Sequence, residues 1–270
     1  MGIVSIFVLL KALHATVRLQ DLMSVGDHAS AGLDASGWIH KLGRSLDPIG
    51  VMLDGRFDAV CNKFVHQLNQ LYGAGIKLRV VFDGKEYPRK TRPAISENAK
   101  AQRELAKGAL QRIKAALSPG QFAARDDYTR SVCVAAFART NALEKATQAR
   151  LTHCGFDWEV AEFEADSQLA YLARAGHVEY IISEDSDMLA YGVPKLLRNL
   201  DLTSMRAVIV KSDALLTTDT GNQDDLLSIL NGRGEAGLWL LGCLAGNDYN
   251  KFEGVAIKGA MAIMRRMPAG

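Results

Sequence analysis

Cysteine is sparse and scattered: Cys61, Cys133, Cys154 and Cys243 form no C-x-x-C pair and lie far apart in 270 residues. That spacing argues against a zinc site and a disulfide framework, and it fits a reducing, intracellular setting. An excess of one charge is also lacking, with 32 Lys and Arg against 30 Asp and Glu and a formal net charge of +2. Affinity for a polyanion must therefore come from where the charges sit, not from their sum. No apolar run is long enough for a bilayer; the best, Ile3 to Leu10, falls well short of a membrane span. As a signal peptide it lacks a preceding basic residue and is followed by Lys11, and as a myristoylation signal it has Ile6 where Ser or Thr belongs. Prolines are few, at 6, and no repeat or low-complexity linker breaks the chain. What is plentiful is apolar content, 48%, enough for a sizeable core and against disorder.

Short β-rich runs alternate with helical periodicity. Strands are expected at Ser30–Leu33, Leu78–Phe82, Trp158–Ala161, Tyr180–Ser183, Leu196–Leu200 and Ala207–Val210. The rhythm reads as an α/β fold with a mostly parallel sheet. Residues 84–130 differ. Lys85, Arg89, Lys90, Arg92, Lys100, Arg103, Lys107, Arg112 and Lys114 crowd there with few large apolar side chains, so no core-facing strand fits. The segment is either a solvated charged helix or a basic projection lying along a polyanion.

Several strands end in acid: Ala31-Gly-Leu-Asp34, Leu78-Arg-Val-Val-Phe-Asp83-Gly84 and Tyr180-Ile-Ile-Ser-Glu184-Asp185-Ser-Asp187. In a parallel sheet the carboxyl ends share one edge, so these side chains converge there. Glu164 and Asp166 follow a fourth strand and open the helical segment Ala165–Ala175. Residues two apart do not share a helix face, so this pair acts together only at a strand-to-helix junction. Each acid alone reads equally well as a turn or cap residue. As a set they repel one another and raise one another's pKa unless cations neutralise them. All-oxygen ligation without His or Cys points to magnesium or manganese, and two such ions hydrolyse phosphodiesters.

The motifs in order are Met1-Gly2-Ile3, Leu33-Asp34-Ala35-Ser36-Gly37-Trp38-Ile39-His40-Lys41, Val81-Phe82-Asp83-Gly84, Glu164-Ala165-Asp166 with Gln168-Leu169-Ala170-Tyr171-Leu172, Ser183-Glu184-Asp185-Ser186-Asp187 and Leu244-Ala245-Gly246-Asn247-Asp248-Tyr249. Together they resemble the flap endonuclease and exonuclease 1 superfamily of structure-specific 5′ nucleases (XPG/Rad2), with Glu-Ala-Asp and Glu-Asp-Ser-Asp nearer to exonuclease 1. The resemblance implies a PIN-like fold in a single nuclease domain, 1–270. Its N-terminal region, 1–115, carries a basic helical arch at about 84–130. Its internal region, about 131–270, carries a helix-two-turn-helix motif near 246–268. It further implies a metal-dependent 5′→3′ exonuclease or flap endonuclease acting on DNA with a 5′ end, nick, gap or flap beside duplex, in repair, replication or recombination, and a nuclear location. No membrane partner is expected. Replication or mismatch-repair proteins would bind through a C-terminal region that this sequence does not contain.

Residue by residue, the resemblance makes Asp34, Asp83, Glu164 and Asp166 ligands of one Mg2+ or Mn2+, and Asp185, Asp187 and Asp248 ligands of a second. His40 stacks on a nucleobase, and Lys90 stabilises the scissile phosphate. Gly2, Lys85, Arg89, Lys100, Gly254 and Lys258 contact DNA, with a potassium ion at the Gly254–Lys258 turn. The family's catalytic arginine falls on Glu97, leaving Arg92, Lys100 or Arg103 to replace it, and Ala256 stands where the turn has its second glycine. Two other readings are a nuclease-fold scaffold that binds RNA-regulatory proteins and a single-strand RNase. The scaffold reading conflicts with seven acidic positions all being acidic.

Overall fold

The computed structural model describes residues 6–22, 28–85, 97–138, 140–222, 224–246, 252 and 255–267. The chain forms two compact units, one of residues 1–34, 70–93 and 159–270 and one of residues 35–69 and 94–158.

The first unit is organised by a seven-stranded sheet. Its strands are β1 (Ala15–Arg18), β2 (Ala29–Asp34), β3 (Ile76–Phe82), β4 (Trp158–Val160), β5 (Tyr180–Ile182), β6 (Lys195–Asp201) and β7 (Arg206–Lys211), in the spatial order β1-β7-β6-β5-β2-β3-β4. β3, β2, β5 and β6 run parallel to one another, whereas β7 pairs antiparallel with β6, and β1 antiparallel with β7, to close one side. The six expected strands each match an observed one within two residues. β1 was not expected: its Ala-Thr-Val-Arg is largely exposed, so it carries no apolar pattern and forms only through backbone pairing to β7.

The central strands are buried on both faces, as parallel strands covered by helices must be. Ala31, Leu33, Val80, Val81, Phe82, Ile181 and Ile182 are all essentially inaccessible. The helix Ala165–Arg174 covers this region with Leu169, Leu172 and Ala173. Gly32 permits that approach, because a Cβ there would stand 2.6 Å from Leu169 Cδ2 and 2.9 Å from Ile181 Cδ1. The order of strands reverses between β2 and β5: the chain goes from β2 outward to β3 and β4 on one side, and from β5 outward to β6 on the other. Such a reversal opens a crevice at the carboxyl ends of the two strands, where ligands of α/β sheets bind.

The second unit is helical. It contains Ala35–Leu46, Glu97–Ala116, Asp127–Ala135, Asn141–His153 and most of Asp58–Gly73. Ile49, Ala123 and Cys133 form a small core with Met52, Leu53, Leu110 and Leu117. Arg125 ties the segment before Asp127–Ala135 to Asp47 and, at 2.8 Å, to the inaccessible carboxylate of Asp54. Asp126 and Thr140 cap the two helices that follow them by accepting Thr129 and Leu143 N–H. Among the described residues no helix is long and apolar enough to cross a membrane.

Candidate metal centre

Asp34 is the last residue of β2 and lies in register with Val81 of β3. Asp83 follows β3 directly. Asp185 and Asp187 follow β5, so acids from three adjacent parallel strands meet the crevice between β2 and β5. Glu164 holds the N-cap position of Ala165–Arg174 with extended backbone (φ −93°, ψ 140°), and Asp166 lies in the first helical turn. This is the strand-to-helix junction that the spacing requires. The capping bond itself comes from elsewhere: Ala165 N–H donates to Asp83 Oδ1 at 2.8 Å, across 82 residues of sequence. One contact thereby fixes Asp83 and orients the start of the helix carrying Asp166.

Gly84 makes this junction possible. Its N–H donates to Phe163 O, and that of Lys85 donates to Glu162 O at 3.1 Å. A Cβ on residue 84 would stand 1.9 Å from Ala161 O, a backbone atom that cannot move aside cheaply. The glycine of Asp83-Gly84 serves this close approach.

Asp166 reports the electrostatics of the edge. The residue is partly exposed, but its Oδ1 is buried and has no hydrogen-bond partner among the described residues. Burial pushes its carboxyl well above the usual carboxylate range, and the charges of Asp34, Asp185, Asp83 and Glu164 push it further. Four of the other six acids are thus within electrostatic reach of one buried oxygen. Asp187 joins the group through its N–H, which donates to Asp185 Oδ1 at 3.0 Å. Asp248 lies outside the described residues.

A buried carboxylate oxygen without a donor, among carboxylates, has the chemistry of a hard-cation ligand. Among the described residues no three carboxylate, imidazole or thiol groups stand close enough to hold an ion as they are.

The other expected site residues fall into three groups. His40, on Ala35–Leu46 in the second unit, is half-buried and packs edge-on against Phe137 with ring centroids 5.1 Å apart. Lys85 and Lys258 in the first unit, and Lys100 and Arg103 on the helix Glu97–Ala116, are solvent-exposed. Gly2, Arg89, Lys90, Arg92 and Gly254 lie outside the described residues. The sequence reading missed a cavity of about 480 Å³ in the second unit, lined by Arg56, Asp58, Arg150 and His153 among others. Its lining includes none of the seven acids.

Comparison with known proteins accords with this geometry. Residues 155–248 match the XPG I-region, which takes in Glu164, Asp166, Asp185, Asp187 and Asp248. Exonuclease 1 of Xenopus laevis is 39% identical over 142 residues, 52% of this chain and 18% of that protein. Flap endonuclease 1 of Pyrobaculum calidifontis is 31% identical over 201 residues, 74% of this chain and 55% of that protein. The chain therefore spans little more than half, or less, of these curated relatives. The catalytic core of Rad2 in complex with a DNA substrate superposes with a TM-score of 0.61 at 19% identity, covering 98% of this chain and 69% of that one, a likeness of fold. By its I-region and by these relatives the chain is similar to the XPG/Rad2 family of 5′ nucleases.

Proposed function

We propose that this chain is the nuclease domain, 1–270, of a divalent-metal-dependent, structure-specific 5′ nuclease. It hydrolyses phosphodiester bonds in DNA beside a 5′ end, nick, gap or flap, as a 5′→3′ exonuclease, a flap endonuclease or both. The observation that carries the reading is Asp166: a buried carboxyl oxygen with no hydrogen-bond partner among the described residues, pressed by four other carboxylates at the switch point of a parallel sheet. The family as a whole depends on divalent metal.

Asp34, Asp83, Glu164 and Asp166 would hold one Mg2+ or Mn2+, and Asp185, Asp187 and Asp248 the other. Bound there, the ions supply an activated water and charge neutralisation at the leaving oxygen. Asp83, fixed by Ala165 N–H, keeps its second oxygen directed by the same contact that orients Asp166. Lys90 steadies negative charge on the scissile phosphate. Arg92, Lys100 or Arg103 takes the place of the arginine absent at Glu97. His40 stacks on a base beside the cut, a contact of roughly 1–3 kcal/mol. Gly2, Lys85, Arg89 and Lys258 follow the phosphate backbone, and the Gly254–Lys258 turn holds duplex with a potassium ion. Action in nuclear DNA repair, replication or recombination follows from this activity.

A cleavage assay comparing 5′-flap, nicked, blunt and single-stranded substrates, as DNA and as RNA, tests the proposal. Cutting of 5′-ended DNA in Mg2+ and none in excess chelator is the expected result. Undiminished cutting in chelator, or cutting of single-stranded RNA alone, would overturn it.

A further inference from the structure

Glu184 is the acid of the Ser183–Asp187 segment that the two-ion reading leaves unused, and the structure gives it a distinct task. β5 ends at Ile182, which pairs in register with Leu197, whereas β6 continues to Asp201. Ser183 N–H still donates to Leu197 O at 3.1 Å, the last rung of the ladder. The chain then turns off to place Asp185 and Asp187, and the next inward N–H of β6, on Asn199, loses its strand partner. The Glu184 carboxylate takes over: its Oε1 accepts Asn199 N–H at 2.6 Å. Asn199 is solvent-exposed, so what this bond adds is less the rescue of a buried donor than a fixed link between the departing loop and β6.

The receiving end is shaped for the contact. Asn199 has φ +49°, in the left-handed region that Asn tolerates better than most residues. It falls where the β6–β7 register shifts, between Arg198 and Asp201. Arg198 balances the charge, with Nη2 3.6 Å from Glu184 Oε2 and a side chain only 13% exposed against 52% for Glu184. Its guanidinium stacks on Phe7 at 3.5 Å from the ring centroid, so the cation is held by an aromatic face as well as by the carboxylate. On the other side of Glu184, Asp185 N–H donates to Ser183 Oγ at 3.0 Å. The loop is therefore held to β6 at two successive residues immediately before its first acid.

We propose that Glu184, with Arg198 and Asn199, is a positioning residue: it fastens the departing loop to β6 so that Asp185 and Asp187 are presented to the metal edge. This rests on the metal reading above. A carboxylate spent on a backbone N–H and an arginine adds order to the loop without adding another repelling charge to the cluster. Residues that orient ligands from outside the coordination sphere change metal affinity when removed. The half-exposed setting of Glu184, and its engagement with β6 instead of the metal edge, put the effect below that of a direct ligand.

Direct Mn2+ binding, followed by electron paramagnetic resonance of the free ion, tests this on the full chain. Glu184→Ala should weaken binding about three- to tenfold, the effect of losing one ordering hydrogen bond. Glu184→Gln should stay within about twofold, since its amide oxygen still accepts from Asn199. The melting temperature in chelator is measured beside it. A lower melting temperature with unchanged Mn2+ affinity means that Glu184 merely holds the fold, and overturns the proposal. Should Glu184→Ala fail to fold, Glu184→Lys, which keeps a long side chain but cannot accept from Asn199 N–H or pair with Arg198, carries the same test: weaker Mn2+ binding supports the role and unchanged binding overturns it. If the wild type binds Mn2+ and cuts DNA while the variants bind equally well, only this inference falls. If the wild type binds no Mn2+, the metal reading falls and takes this inference with it.

Discussion

Replacing Asp166 with asparagine should make the metal-free protein more stable at neutral pH and the metal-loaded protein less so. Burial and the charges of Asp34, Asp185, Asp83 and Glu164 raise the Asp166 carboxyl well above its unfolded value. A carboxyl raised on folding contributes stability that is fully present below the unfolded pKa and is lost as pH rises through the folded pKa. At pH 8 in chelator the wild type therefore bears an ionised or forcibly protonated buried acid. The neutral amide of the variant bears neither. The helix N-terminus offsets part of this cost, because Asp166 lies in the first turn of Ala165–Arg174, but such a position is worth only about 0.3–1 kcal/mol. Relief of a buried acceptor left without a partner is worth about 1–3 kcal/mol, so repulsion wins. A chain of this size gains roughly 2–4 °C per kcal/mol, which puts the variant several degrees above the wild type in chelator. With Mg2+ at about a hundred times its dissociation constant the wild type gains about 2.7 kcal/mol, while the variant, short of one ligand, gains less. The melting order should invert between chelator and Mg2+, and differential scanning fluorimetry in the two buffers reads it. In chelator, the gap should close as pH falls toward 4. Lower melting of Asp166→Asn in chelator at pH 8, or the same order in both buffers, would refute the electrostatic reasoning.

Three further outcomes follow from the same geometry. Asp185→Ala and Asp83→Ala should each lower single-turnover cleavage by more than about a hundredfold, the scale of losing a group that acts only in the transition state. Asp83→Ala should also cost about 1 kcal/mol in chelator, because it removes the acceptor for Ala165 N–H, and chemical denaturation would show the difference between the two. Gly84→Ala should destabilise by about 1–3 kcal/mol or more, as a new Cβ overlaps Ala161 O; unchanged stability would contradict the close approach. Lys90→Ala should slow the chemical step roughly ten- to a thousandfold with little change in duplex affinity, and Arg92→Ala or Arg103→Ala should do likewise if that residue replaces the missing arginine. A change in affinity alone, with a flatter salt dependence, would reduce the arch to a passive basic surface.

Much of this fold could be read from the chain because its central strands are buried on both faces. Runs such as Leu78–Phe82 and Tyr180–Ile182 are rich in apolar residues, and each ends in acid, which places the acids on one edge from the sequence alone. The placement of Glu164 and Asp166 at a strand-to-helix junction followed from their two-residue spacing. β1 escaped notice for the opposite reason: its residues face solvent, and its only reason to be a strand is β7. Contacts between distant parts of the chain were equally invisible. Nothing near Asp83 announces that it caps a helix beginning at Ala165, and nothing in Ser-Glu-Asp-Ser-Asp separates Glu184, which turns back to Asn199, from its two acidic neighbours. Sequence periodicity records which face a residue prefers; it does not record its partner.

Whether the acids of the sheet edge bind divalent ions is most directly settled by anomalous diffraction from crystals soaked in Mn2+ with a 5′-ended duplex. The expected result is Mn2+ density among Asp34, Asp83, Glu164 and Asp166, with a second site about 4 Å away at Asp185 and Asp187. An edge free of Mn2+ at concentrations that support cleavage, or ions bound only elsewhere on the chain, would contradict it.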